Sequence, residues 1–279
     1  MYFSHISQKL PLKRRGRLYK LLIYSFILLL GCNSSAQEIS DPDNAPEKVI
    51  DLLGDSMTWI GGDNCEKETG WSYYLKRYNP NWQVATYARS GATWTNTKFT
   101  KGDVKAYSAV LDNENVIYNQ VRRLILDVDN KKASTPNVIV IFAGGNDAMY
   151  QRKRPGLFND REVPDGSVEN CKPSDFTTLN SSIELGCRLL KEHFPHARII
   201  LVTPTEMAKA TPEVTAKVGD TIQKIGQKLG IEVLRADKNV NIRQSVEKNK
   251  PHKFTYDGIH SNPLGAQLIA DYIIKAIDN

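Results

Sequence analysis

Cysteine and histidine are scarce, with four of the first and five of the second in 279 residues. No spacing among them matches a zinc site, and His-Glu-x-x-His is absent, so the sequence calls for no metal or other cofactor. Gly-x-Ser-x-Gly is also missing, which disfavours the nucleophile elbow of the α/β-hydrolase fold. No internal repeat and no second compositional regime is present, so one domain is expected. The apolar run at residues 21–30 is too short to cross a bilayer comfortably.

The folded part also lacks a surplus of either charge. The formal charge is +6, but Lys9, Lys13, Arg14, Arg15, Arg17 and Lys20 precede that apolar run, and no acidic residue accompanies them. Removing those six from the 37 lysines and arginines leaves 31, equal to the number of acidic residues. Nucleic-acid binding, which needs a basic patch on the domain itself, is therefore not expected. Residues 1–31 read as a signal peptide, closed by Leu29-Leu30-Gly31-Cys32. That ending resembles a bacterial lipobox, which implies cleavage before Cys32 and its lipidation. The expected protein is exported and membrane-anchored by lipid alone, facing the periplasm or the cell surface. Residues 32–46 form a small, polar, Pro-containing tether, and residues 47–279 suffice for one α/β domain with a substantial core.

Four short blocks stand out in this domain: Gly54-Asp55-Ser56, Ser90-Gly91, Gly144-Gly145-Asn146-Asp147 and Asp257-Gly258-Ile259-His260. Singly they are unremarkable, since Gly-Asp-Ser after a strand reads as a turn with a helix N-cap. Together they supply a nucleophile (Ser56), a base (His260), a carboxylate to orient the base (Asp257) and oxyanion donors. Those donors are the Ser56 amide, the Gly91 amide and the Asn146 side chain. The first and third blocks end expected parallel strands, where open α/β sheets place their sites.

On these blocks the chain resembles the SGNH (GDSL-type) hydrolases, from about residue 48 to the C-terminus. The resemblance places the family's Ser, Gly, Asn and His on Ser56, Gly91, Asn146 and His260, with Asp257 as the acid. Two departures occur. The family's Asn-x-Gly-x-Ser-Gly is here Thr86-Tyr87-Ala88-Arg89-Ser90-Gly91, and the Pro that often follows the His is Ser261.

Apolar strand patterns at residues 48–53, 82–87, 136–143, 198–203 and 231–234 alternate with helical patterns at 71–78, 114–128, 176–193, 212–229 and 263–277. Continuous apolar strands between helices predict a three-layer αβα sandwich around a doubly wound, mostly parallel five-stranded sheet, flavodoxin-like in the manner of the SGNH hydrolases. Asp51 breaks the apolar pattern of the first strand, which suggests a basic partner or a strand edge. Long loops at 92–113 and 147–175 are expected to build the substrate cleft. Cys65 and Cys171, each in a loop after a catalytic block, are a candidate disulfide, while Cys187 reads as buried in a helix. His193 and His196 fit a helix end, and His252 reads as solvated.

The expected partner is an ester substrate. Trp59, Trp94 and Tyr150 follow three of the blocks as a candidate aromatic rim for a sugar, with Asp147 as a further candidate contact. Acetyl-ester hydrolysis on a polysaccharide or oligosaccharide is the leading expectation. Action on lipids or longer acyl esters, as in lysophospholipase-like members of the family, acyl transfer to a glycan and non-catalytic glycan binding are the alternatives. The oligomeric state leaves no mark in the sequence.

Overall fold

The computed structural model describes residues 45–105 and 112–279. The signal segment, Cys32 and nearly all of the tether lie outside the described residues.

In chain order the elements are β1 (Lys48–Gly54), α1 (Ser56–Trp59), α2 (Trp71–Tyr78), β2 (Trp82–Thr86), α3 (Ile117–Asp129), β3 (Val138–Phe142), α4 (Gly145–Met149), α5 (Leu179–His193), β4 (Arg198–Val202), α6 (Pro212–Leu229), β5 (Glu232–Leu234), α7 (Ala236–Asn239), α8 (Gln244–Glu247) and α9 (Pro263–Asp278). The strands form one sheet in the order β2-β1-β3-β4-β5, and every neighbouring pair is parallel. This is the predicted doubly wound sandwich.

The strands read as unbroken apolar runs because both faces of the sheet are covered. Leu53, Ile139, Ile141 and Leu201 pack towards α3, α5 and α6. Ile50, Leu52, Val140, Phe142, Ile200 and Val202 pack with residues of α2 and α9. Helix ends follow local chemistry. Thr211 caps α6 by accepting from the Val214 amide, Pro212 opens the helix, and Gly230 closes it in the left-handed region.

Asp51 lies in neither environment that its sequence suggested. β1 is flanked by β2 and β3, so it is no edge, and Asp51 Oδ2 is buried without a hydrogen-bond partner. Burial, and then the charge of Asp127, push its carboxyl up to about 7. An unfolded aspartate ionises near 4, so between about pH 4 and pH 7 the folded chain holds the proton more tightly than the unfolded one. Stability should therefore fall as pH rises through that window and level off above it, by about 4 kcal/mol for a shift of this size. Asp51→Asn is expected to remove this part of the slope, read by urea unfolding at pH 4.5, 5.5, 6.5 and 7.5. An unaltered slope in the variant would assign the effect elsewhere.

The cysteine pairing is corrected by the fold. Cys65 and Cys171 are both free thiols. Cys65 is buried among residues of the α2/α9 face, whereas Cys171 packs against the α3/α5/α6 face, so the loops after the first and third blocks leave the sheet on opposite sides. Cys187 is fully buried in α5, and burial pushes its thiol up to about 12. The long loops reach into the core at several points. Trp94, Leu157, Val163 and Val168 are buried on the α3/α5/α6 side, and the Asn96 side chain donates to the Pro173 carbonyl at 2.8 Å, joining one loop to the other.

Candidate active site

The first block owes its shape to a close backbone approach. A Cβ on Gly54 would stand 2.4 Å from the Phe142 carbonyl oxygen, so only glycine lets β1 end against β3 there. The buried Gln120 amide of α3 clasps the same residue, accepting from the Gly54 amide at 2.8 Å and donating to its carbonyl at 2.9 Å. Asp55 caps α1 by accepting from the Met57 amide at 3.0 Å, and Ser56 is the first residue of that helix.

Three side chains from two ends of the chain then meet. Ser56 Oγ lies 3.0 Å from His260 Nε2, and His260 Nδ1 lies 2.8 Å from Asp257 Oδ2. Asp257 Oδ1 accepts from the Ile259 amide at 3.0 Å and the His260 amide at 2.8 Å. Partial burial pushes the Asp257 carboxyl up, but the bonds from the His260 amide, the His260 ring and the Ile259 amide outweigh it and hold the carboxyl below its ordinary range. It is therefore ionised at neutral pH.

A buried carboxylate holds the loop that carries this pair. Glu247 has no exposed surface, and it accepts from the Phe254 amide at 3.1 Å and from the Thr255 hydroxyl. Thr255 Oγ1 in turn accepts from the Gly258 amide at 3.0 Å. Gly258 takes a φ of 84°, and a Cβ there would stand 2.6 Å from Ala208 Cβ, so a side chain would displace the turn between Asp257 and His260. His252 is half-buried rather than solvated, with Nδ1 2.6 Å from the Glu247 carbonyl oxygen. Ser261, the departure from the family pattern, is buried and donates to the Thr69 carbonyl at 2.7 Å, tying the His260 loop to the segment after α1.

The second and third blocks are joined to each other and to the first. Asn146 Nδ2 donates to the Ala92 carbonyl at 2.8 Å, which leaves its second amide hydrogen for another acceptor. The Arg89 amide donates to the Gly54 carbonyl at 3.1 Å, and Asn115 Nδ2 to the Ser90 carbonyl at 2.7 Å. Where the family has Asn, Thr86 Oγ1 accepts from the Ala88 amide at 3.2 Å and so supports the turn that leads to Gly91. Asp55 also joins two of the blocks, since it accepts from the Gly145 amide as well as from Met57. Burial is the main cause that pushes its carboxyl up to about 7. It should thus add a second slope of the kind described for Asp51.

Two candidate contacts are corrected. Asp147 is fully buried, and its carboxylate accepts from the Trp94 amide at 2.9 Å, the Thr95 amide at 3.1 Å and the Thr95 hydroxyl at 2.6 Å. It braces the second block from within and offers nothing to a ligand. Trp94 is 1% exposed and sits in the core beside α5, because the chain turns inward directly after Gly91. Trp59 and Tyr150 are partly exposed. His193 ends α5 with Nε2 3.9 Å from Glu169.

Gln120 and Glu247 escaped the sequence reading. Neither lies in a block, and a lone Gln or Glu on a helix carries no sign that its partner is 66 or 7 positions away.

The sequence model of the GDSL-like lipase/acylhydrolase family matches residues 52–268, a span that contains all four blocks. Among curated proteins none matches the chain. Solved structures with a similar fold include a protein from Lactobacillus plantarum, 15% identical over 83% of this chain and 96% of that one, with a TM-score of 0.55. A candidate GDSL-like lipase from Bacteroides uniformis is 19% identical over 83% and 95%, with a TM-score of 0.54. An acetyl xylan esterase is 15% identical over 82% and 99%, with a TM-score of 0.51. At such identities the likeness concerns the fold.

Proposed function

The chain belongs to the GDSL-like lipase/acylhydrolase family and so is an ester-hydrolysing enzyme, and from that premise we propose that it removes a small acyl group, acetyl above all, from a carbohydrate. The observation that carries the mechanism is the unbroken relay from Ser56 Oγ through the His260 ring to the Asp257 carboxylate. In this reading neutral His260 takes the Ser56 proton as Oγ attacks the ester carbonyl, and Asp257 holds the other ring nitrogen and stabilises the imidazolium. The Ser56 and Gly91 amides and the Asn146 side chain stabilise the tetrahedral oxyanion, each such donor being worth about 3 to 4 kcal/mol. Collapse expels the alcohol, which takes its proton from His260. A water activated by the same ring then releases the acid.

The small-acyl reading draws on the close packing around the third block. A Cβ on Gly145 would stand 3.1 Å from the Met207 methyl, and the β4–α6 segment bearing Met207 also bonds the catalytic loop, Ala208 donating to the Gly258 carbonyl at 2.7 Å. In the same reading the enzyme is exported and held to a membrane by lipid on Cys32.

Hydrolysis of p-nitrophenyl acetate, butyrate and octanoate by residues 38–279 tests the proposal. kcat/KM is expected to be highest on acetate and to fall with chain length. A rise towards octanoate would replace the glycan reading by a lipid one, and acetyl transfer to an added sugar outpacing release of acetate would replace hydrolysis by transfer.

A further inference from the structure

Of the four tryptophans, Trp71, Trp82 and Trp94 are buried, whereas Trp59 is partly exposed. The exposed part of that ring leaves an apolar face open to a partner, and its place shows where. Trp59 lines a pocket of about 630 Å³ formed by the segment from Trp59 to Thr69. That volume lies within the range of small-molecule sites, roughly 300 to 1,000 Å³.

The pocket is bound to three of the catalytic blocks. Trp59 closes the single turn that Ser56 opens. The Thr69 carbonyl accepts from Ser261, next to His260. Asp63 Oδ1 accepts from Arg89 at 2.9 Å, two positions before Gly91. The segment is also preset in shape. The Gly62 amide donates to the Trp59 carbonyl at 2.8 Å, Lys67 to Gly61 at 2.9 Å and Gly70 to Lys67 at 3.0 Å, and buried Cys65 anchors the middle. A site built beforehand need not be ordered by its ligand, which favours binding.

The wall chemistry selects the ligand. Asn64, Glu66 and Lys67 line the pocket with side-chain heads that no hydrogen bond or ion pair engages among the described residues. They offer an amide, a carboxylate and an ammonium, the mix of donors and acceptors that hydroxyl groups require. Asp63 is offset by Arg89 and Glu66 by Lys67, so no net charge is left to attract an anion. A fatty chain would make no use of these donors and acceptors, which a hydroxylated ring engages.

We propose that this pocket is the site for an uncharged pyranose ring of the substrate, with Trp59 as its apolar wall and Asn64, Glu66 and Lys67 bonding its hydroxyls. The inference rests on the esterase reading of Ser56 for its purpose, though binding can be read without catalysis.

Two measurements test it, with 6-O-acetyl-D-glucose, which keeps its ring hydroxyls, and free glucose as probes. In Trp59→Ala, and separately in Asn64→Ala combined with Lys67→Ala, the ratio of kcat/KM on 6-O-acetyl-D-glucose to that on p-nitrophenyl acetate should fall about tenfold, mainly through KM. An unchanged ratio in both variants would overturn the proposal. In the Ser56→Ala protein, both probes should change tryptophan fluorescence saturably, and the added Trp59→Phe change should abolish this. Absence of any saturable change would refute the sugar site, even in an active esterase. Saturable binding in an enzyme that hydrolyses none of the esters would instead keep the sugar site and overturn the esterase reading.

Discussion

Ser56→Ala is expected to lower kcat on p-nitrophenyl acetate by about 10⁵- to 10⁶-fold, the scale on which a triad fails once its nucleophile is gone. Removing the nucleophile or the base of such a triad costs about as much as removing all three members, because they act as a unit, whereas loss of the acid alone costs less. The substitution is a clean test, since among the described residues the one side-chain bond made by Ser56 is to His260. Asp55 caps α1 through its own carboxylate, so the helix start does not depend on the serine hydroxyl. Circular dichroism and the unfolding midpoint should match those of the parent protein. A loss below tenfold, with the fold intact, would show that hydrolysis proceeds without an acyl-enzyme at Ser56.

Asp257→Asn is expected to lower kcat by about 10³- to 10⁴-fold with little change in KM. The amide oxygen of an asparagine can still accept from the Ile259 and His260 amides, so the loop keeps its form. Its nitrogen, however, would face His260 Nδ1, and two donors cannot share that bond. The ring must then carry its proton on Nε2, pointing at Ser56 Oγ, and can no longer accept from it. The Asp257 side chain is 48% exposed, so solvent screens much of its charge and the tautomer carries most of the effect. Retention of more than a tenth of the parental kcat would show that His260 is oriented by its other contacts, and pH-rate profiles of both proteins would locate the base.

What could be read from the sequence was set by distance along the chain. The five strands were legible because Val and Ile fill both faces of a doubly covered sheet, and the long helices because their apolar positions recur at helical spacing. The four blocks were legible because each is a contiguous word. Helices of four or five residues, such as α1 and α4, are too short to show a period. Trp94 and Asp147 were misplaced for a common reason. A polar or aromatic residue beside a catalytic block looks available, yet here the carboxylate of one closes on the backbone of the other, 53 positions away, and both sink into the core. Asp51 was visible as an anomaly but not as a buried, unpartnered carboxylate, because its lack of a cation is a fact of packing. The pocket at residues 59–69 depends on Cys65 turning inwards, whereas the sequence offered it as a disulfide partner of Cys171.

The bond between Ser56 and His260 joins residues 204 positions apart. A chain leaving the ribosome therefore carries its nucleophile long before it has a base, and it stays silent until the last block has emerged and α9 has docked behind it. Refolding must close nearly the whole domain into one loop before the first turnover, an entropic step that local helix formation does not assist. Catalytic activity thus reports that synthesis has reached the last block. Products truncated before residue 260 are inert, whatever share of the sheet they have formed.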